Sequence, residues 1–358
     1  MSAKRETARG RGAQSNVSGR FEPLAREGFD DGWSEQDEEP VRLETTVTAE
    51  TGRTVITKNT SPDIGFDRSI NPYRGCEHGC IYCYARPSHA YMGLSPGLDF
   101  ETKLFFKADA AKLLEKELSK PGYQPRPIHI GANTDPYQPI ERELKVTRSV
   151  IEVLQRFRHP FTLITKSALI RRDLDILGDM GKAGLCKAIV SITSLDRRLA
   201  RDLEPRASTP PRRLEALGEL AAAGVPSVVS FSPVILGLND SELEAMLAAA
   251  AKAGAVGATY VMLRLPLEIR ALFEEWLSVH RPDRAKRIMS LVRQMRGGRA
   301  YEAAFGLRMT GQGPWAELIA QRFGRACEKH GLNRGAEALD VSQFQVPTQP
   351  KPQLDLFG

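Results

Sequence analysis

Pro127 to Thr134 reads PIHIGANT, a short apolar run that breaks into polar groups at its end, and the plan returns at Phe161 to Ser167 (FTLITKS) and Lys187 to Ser194 (KAIVSITS). Val225 to Pro233 and Ala258 to Pro266 repeat it, and a short extended segment before Cys76 precedes it. Runs this short and continuously apolar are buried on both faces, as parallel strands are. Between them, apolar periodicity predicts helices over Lys103 to Ser119, Val146 to Arg158, Arg171 to Ala183, Pro211 to Ala223 and Ser241 to Ala253, with a sixth after Glu268. Six strands alternating with six helices are βα units, which suit an open sheet as well as a partial barrel. The polar strand ends (Asn133 to Asp135, Thr165 to Ser167, Thr193 and Ser194, Ser230 and Ser232, Arg264) favour an α/β fold of the partial (βα)6 TIM-barrel type, whose sites lie at the C-terminal strand ends.

Outward from this core, residues 1–45 are rich in Gly, Ser and charge and are expected to be a disordered tail. Thr46 to Lys58 alternates β-branched and polar residues around a Thr-Gly pair, which predicts a hairpin within a lead-in over 46–60. The core domain is expected over 61–304, a helical extension with a helix at Pro314 to Lys329 over 305–340, and a flexible, proline-spaced tail over 341–358. No run of eighteen apolar residues exists and the opening MSAKRETARGRG has no apolar signal, so a cytoplasmic protein is expected.

Among the 358 residues are five cysteines, and three fall within eight residues: Cys76-Glu-His-Gly-Cys80-Ile-Tyr-Cys83. In a reducing compartment such crowding points to metal ligation rather than disulfides. Three thiolates on one tight loop suit three irons of a four-iron, four-sulfur cluster, leaving the fourth open to a chelating small molecule. The alternative is a structural zinc completed by His78 or His89, which would make the chain a non-catalytic interaction module. Cys186, before the fourth strand, reads as a small buried apolar residue; no role is assigned to Cys327.

The loop resembles the radical S-adenosylmethionine (radical SAM) motif CxxxCxΦC, with Tyr82 as the aromatic Φ. The resemblance covers roughly residues 60–300 and implies a partial barrel, a 4Fe-4S cluster on Cys76, Cys80 and Cys83, and reductive cleavage of S-adenosylmethionine to methionine and a 5′-deoxyadenosyl radical that abstracts hydrogen from substrate. It also implies an electron donor such as a flavodoxin or ferredoxin. The segments NPYRGCEHGCIYCYAR, GANTDPYQPIE and TLITKS resemble the branch containing spore photoproduct lyase, a DNA repair enzyme. By that resemblance Tyr82 lies beside the adenine, Thr134 contacts the methionyl end, Lys166 pairs with its carboxylate, and Ser191 sits near the ribose. Tyr82 and Tyr84 match two tyrosines that relay a hydrogen atom in the lyase. The lyase's hydrogen-donor cysteine falls on Ala132, so repair of the thymine spore lesion is not the first expectation.

The formal charge is +6, and residues 1–50 carry seven basic against eleven acidic side chains, which leaves ten excess positive charges on residues 51–358. Arg281 to Arg308 holds eight basic and two acidic side chains, and Asp196 to Arg213 holds six arginines and three acids. The first could lie along a nucleic-acid backbone or be a solvated helix face, and the second, overhanging the barrel mouth, could bind substrate or the charged end of the cofactor. The substrate class expected is DNA or another nucleic acid, with a peptide or small metabolite as the alternative. The chain ends Gln353-Leu354-Asp355-Leu356-Phe357-Gly358, which resembles the QL(S/D)LF peptide that docks bacterial repair proteins on the DNA sliding clamp.

Overall fold

The computed structural model describes residues 10–22, 43–333 and 338–347. A small sheet has the order β1 (Thr46–Glu50), β5 (Lys103–Lys107), β4 (Tyr73–Arg74). A seven-stranded sheet has β2 (Ile56–Lys58) on one edge, antiparallel to β3 (Arg68–Ile70). From β3 the strands are parallel and in chain order: β6 (Ile128–Ile130), β7 (Phe161–Thr165), β8 (Cys186–Ser191), β9 (Ser227–Val234) and β10 (Gly257–Met262). The chain is thus an α/β protein with six parallel strands side by side, the order in which successive βα units lie down.

The helices are α1 (Asp99–Thr102), α2 (Ala110–Leu118), α3 (Glu141–Leu144), α4 (Val146–Arg156), α5 (Leu174–Lys182), α6 (Arg197–Leu203), α7 (Pro210–Ala222), α8 (Leu243–Lys252), α9 (Ile269–His280), α10 (Ala285–Gln294) and α11 (Pro314–His330). Val150 and Leu154 of α4 and Leu217 and Leu220 of α7 pack in one core with Ile128, Leu163, Val190 and Val229 of the strands. Each such side chain contributes on the order of 1.5–3 kcal/mol by leaving water. A second core joins Trp276, Phe273, Ile288 and Val292 of α9 and α10 to Ile81 and Tyr82 of the cysteine loop. That loop is therefore part of the folded interior. No helix among the described residues is long and apolar enough to cross a membrane.

Four expectations change. Lys103–Lys107 is a strand, and its helix begins at Ala110: Leu104, Phe105 and Phe106 pair with β1 on one side and β4 on the other. The hairpin at Thr46 to Lys58 does not form, because β1 pairs parallel with β5 while β2 joins the edge of the larger sheet. Alternation identifies a strand but not its partner. Residues 10–22 of the expected tail pack on the domain, with Ala13 fully buried and Asn16 bonded to Asp99. At the other end, Phe344 lies against Tyr123, Phe157 and His159, and Gln345 N donates to Phe157 O, so the chain is held to the domain at Phe344 and Gln345. The Gln353–Phe357 peptide lies outside the described residues.

His89, His129 and His159 are buried, and burial lowers each from about 6.5 to about 4. They stay neutral in the fold while the unfolded chain takes up protons, so their contribution is full above about pH 6.5 and is lost as pH falls toward 4. Melting temperature should fall through this window. His129→Gln should flatten the slope; a melting temperature independent of pH from 7 to 4.5 would contradict it.

Candidate active site

The cysteine loop follows β4 and has no regular structure of its own, so its backbone groups must find partners elsewhere. Cys76 N donates to Phe100 O at 3.0 Å and Ile81 N to Leu203 O at 3.1 Å. Gly75 and Gly79 turn the chain through left-handed conformations (φ 75° and 67°) that glycine adopts without strain. Arg86, fully buried, donates from Nε to Cys80 O (2.9 Å), from Nη1 to Pro96 O and Gly97 O, and from Nη2 to Gly79 O and the Glu101 carboxylate. Glu101 in turn accepts from Gly12 N and Ala13 N at 3.0 and 2.9 Å. The strap at 10–22 so lies directly on the loop, where a Cβ on Gly12 would stand 1.7 Å from Gly79 O.

At the C-terminal ends of β7 and β8 a second network closes over Tyr82. The Tyr82 hydroxyl bonds Glu204 and lies 3.0 Å from Thr193 Oγ1. Glu204 also pairs with Arg213, whose Nη1 donates to Ser191 O at 2.9 Å. Glu204 and Arg213 are 2% and 1% exposed, so only mutual pairing makes their charges tolerable there. Burial works against the Glu204 charge, but Arg213 and Lys166 outweigh it and hold the carboxyl below its ordinary range. Lys166 Nζ stands 5.9 Å from the Tyr82 ring centre. Burial opposes its charge as well, and the neighbouring Cys80 and Glu204 reverse that and raise it.

A third contact set comes from the segment after β6. Thr134 Oγ1 donates to Gly75 O at 2.7 Å and accepts from Gln138 Nε2, whose amide oxygen accepts from Glu77 N. Asp135 lies 3.2 Å from His78 Nδ1 and accepts from Thr165 Oγ1 and Lys166 N. Burial opposes the Asp135 charge, yet these partners bring its carboxyl down to about 2. The structure therefore gathers Tyr82, Lys166 and Ser191 about Glu204 and Arg213, and holds Thr134 against the base of the cysteine loop. Tyr84, half exposed, donates its hydroxyl to Ala132 O, and Arg264 stacks over its ring at 5.7 Å. Cys186 is fully buried at the start of β8, the strand end away from the site.

Three thiols on one loop, Cys76 and Cys80 buried and Cys83 half-buried, form an all-sulfur donor set suited to iron. Burial pushes the Cys76 thiol up, and Asp135, Cys80 and Cys83 push it further. A bound cation would relieve this mutual repulsion, so the residues fit a cluster that takes three thiolates. Of the histidines that a zinc site would need, His89 has Nε2 2.9 Å from Lys103 O and His78 has Nδ1 3.2 Å from Asp135. Among the described residues no three His, Cys, Asp or Glu side chains converge as the ligands of a single ion.

Sequence reasoning missed Arg86, Glu101, Gln138, Glu204 and Arg213 as parts of the site, and placed Asp135 only among the polar strand ends. The only signal for two of them was the charge-rich segment at 196–213. Much of the basic run at 281–308 has structural duties: Arg281 pairs with Asp202, Arg293 faces Glu274, Arg308 pairs with Asp63, and Arg296 is buried against Leu263 O and Leu307 O.

The Radical SAM superfamily profile matches residues 70–250. An uncharacterised protein of Mycobacterium tuberculosis is 36% identical over 231 residues, which cover 64% of this chain and 68% of that relative. An uncharacterised protein of Methanocaldococcus jannaschii is 28% identical over 173 residues, covering 48% of this chain and 62% of its own. Among solved structures, spore photoproduct lyase complexed with dinucleoside spore photoproduct superposes with a TM-score of 0.58 at 17% identity, covering 81% of each chain. A variant of that lyase with bound S-adenosylmethionine gives the same score and coverage.

Glu204→Ala leaves Arg213 and Lys166 without their shared counter-charge in a buried setting. The expected cost is about 3–5 kcal/mol, seen as an earlier denaturation midpoint. Glu204→Gln, which keeps the hydrogen bonds, should cost less; a midpoint within error of wild type for both would contradict the network.

Proposed function

This chain belongs to the radical SAM superfamily and is a radical SAM enzyme, and on that premise we propose how its residues divide the work. Cys76, Cys80 and Cys83 hold a 4Fe-4S cluster. Tyr82, Thr134, Lys166 and Ser191 hold S-adenosylmethionine, and the substrate is DNA or another nucleic acid. When bound and reduced, the cluster supplies the electron that splits the sulfonium into methionine and a 5′-deoxyadenosyl radical.

The observation that carries this reading is the half-buried Lys166 just beyond the end of β7, its ammonium 5.9 Å from the Tyr82 ring centre and raised by the neighbouring Cys80 and Glu204. A carboxylate entering that space meets a charge whose hydration is already reduced, which strengthens the pairing. Thr134, with its proton given to Gly75 O, keeps a lone pair to accept from an amino group. The Glu204 and Thr193 contacts fix the Tyr82 ring as a flat wall for the adenine. The Tyr84 hydroxyl rests on Ala132, the position of the lyase's cysteine, and serves as the hydrogen-atom carrier there.

A nucleic-acid substrate is supported by the ten excess positive charges on residues 51–358 and by the likeness to a lyase solved with a dinucleoside lesion. We further propose that the Gln353 to Phe357 peptide docks on a DNA sliding clamp, with Leu354, Leu356 and Phe357 as its apolar anchors.

Anaerobic reconstitution with iron and sulfide, then reduction with S-adenosylmethionine, should yield 5′-deoxyadenosine, and Cys83→Ala should abolish it. Equal yields, or none from wild type, would overturn the reading. Lys166→Ala should raise the S-adenosylmethionine KM by at least about tenfold, the loss of one charged pair of roughly 1.5–3 kcal/mol; an unchanged KM would contradict its role. Deleting Gln353 to Gly358 should abolish clamp binding in a pull-down with purified clamp, and retained binding would refute the docking peptide.

A further inference from the structure

Arg197, Arg198 and Arg201 of α6 line a cavity of about 460 Å3 whose other wall includes Ser208, Thr209 and the buried Arg213. Every acid of this segment is already committed. Asp196 caps α6 by accepting from Arg198 N and Leu199 N, Asp202 takes Arg281, and Glu204 takes Arg213 and the Tyr82 and Thr193 hydroxyls. Among the described residues no carboxylate pairs with Arg197, Arg198 or Arg201. Arg197 and Arg201 are four apart on one helix face, where like charges repel, and all three arginines, although exposed, line one concavity. Guanidinium groups so placed match the oxygens of a phosphate two at a time.

The cavity is tied to the catalytic centre by three short links. Glu204 is common to its wall and to the Tyr82 network, Arg206 N donates to His78 O at 3.3 Å, and Ser208 N donates to Lys166 O at 3.3 Å.

We propose that this cavity receives a phosphate group of the substrate, with Arg197, Arg198 and Arg201 as its ligands. The inference deepens the nucleic-acid reading and rests on it. The phosphate is supplied by a nucleic-acid strand or by a mononucleotide, and the same chemistry recognises both.

The test is fluorescence anisotropy of a short labelled single-stranded oligodeoxynucleotide on the reconstituted protein across a salt series, with unlabelled oligonucleotide and thymidine 5′-monophosphate as competitors. Arg197→Gln/Arg201→Gln should weaken binding about tenfold and reduce the slope of log Kd against log salt by about 0.7 for each phosphate left without its arginine. The charge-matched Lys112→Gln/Lys116→Gln pair, on the exposed face of α2, should change neither. Competition by the oligonucleotide alone assigns the phosphate to a strand. Competition by the mononucleotide, lost in the arginine pair, assigns it to a small nucleotide, and either supports the site. Equal weakening by both pairs, or no effect of the arginine pair, overturns it. If wild type forms 5′-deoxyadenosine yet the arginine pair binds normally, the cavity fails alone. Binding through the cavity without 5′-deoxyadenosine leaves the phosphate site standing and removes the radical chemistry.

Discussion

A guanidinium has five N–H donors, and the five donors of Arg86 meet four backbone carbonyls and one carboxylate in a space without water. Two of those carbonyls, Gly79 and Cys80, lie inside the cysteine loop, and the carboxylate, Glu101, holds the strap at 10–22. A loop with three closely spaced thiols has few internal hydrogen bonds to fix its shape. Arg86 and Glu101 provide that shape from outside, and each charge is tolerable at full burial only because the other is present. The direction in which Cys76, Cys80 and Cys83 present their sulfurs follows from this pairing.

The same logic recurs on the other side of the loop, where Glu204 and Arg213 fix Tyr82, and behind it, where Asp135 reaches His78 and the backbone of Lys166. Three largely buried carboxylates therefore surround one loop, each neutralised by a cation or a set of N–H and O–H donors. Lys166 is the exception in geometry: its ammonium is drawn by Cys80 and Glu204 but has no hydrogen bond to a carboxylate among the described residues. It is free to meet an incoming carboxylate, while Arg197, Arg198 and Arg201 of α6 line a cavity and have no carboxylate partner among the described residues. Basic residues elsewhere, such as Arg281, Arg296 and Arg308, hold the fold together.

Much of this was legible in the sequence because it depends on local pattern. The spacing of Cys76, Cys80 and Cys83 carries its chemistry within eight residues, and doubly apolar strands ending in Thr134, Lys166 and Ser191 declare both a parallel sheet and the end at which it works. What the sequence hid was choice of partner. Phe105 and Phe106 count toward a helix face until β1 and β4 are seen on either side of them. Gly12 reads as part of a featureless Gly-rich stretch, although a close approach to Gly79 O is what requires a glycine there. Phe344 lies in polar, proline-rich sequence, and only the cluster of Tyr123, Phe157 and His159 explains its partial burial. Glu204 and Arg213, nine residues apart, show no periodic relation that would mark them as a pair.

Everything turns on whether one iron of a cluster held by Cys76, Cys80 and Cys83 is left for S-adenosylmethionine. Electron-nuclear double resonance of the reduced, oxygen-free protein, with the cofactor labelled at its amino nitrogen and carboxylate oxygen, reads that vertex directly. Hyperfine coupling from both labelled atoms to the cluster is the expected result, weakened when Lys166 is replaced by alanine. A cluster signal that is unchanged by S-adenosylmethionine, or no cluster signal at all, would contradict it.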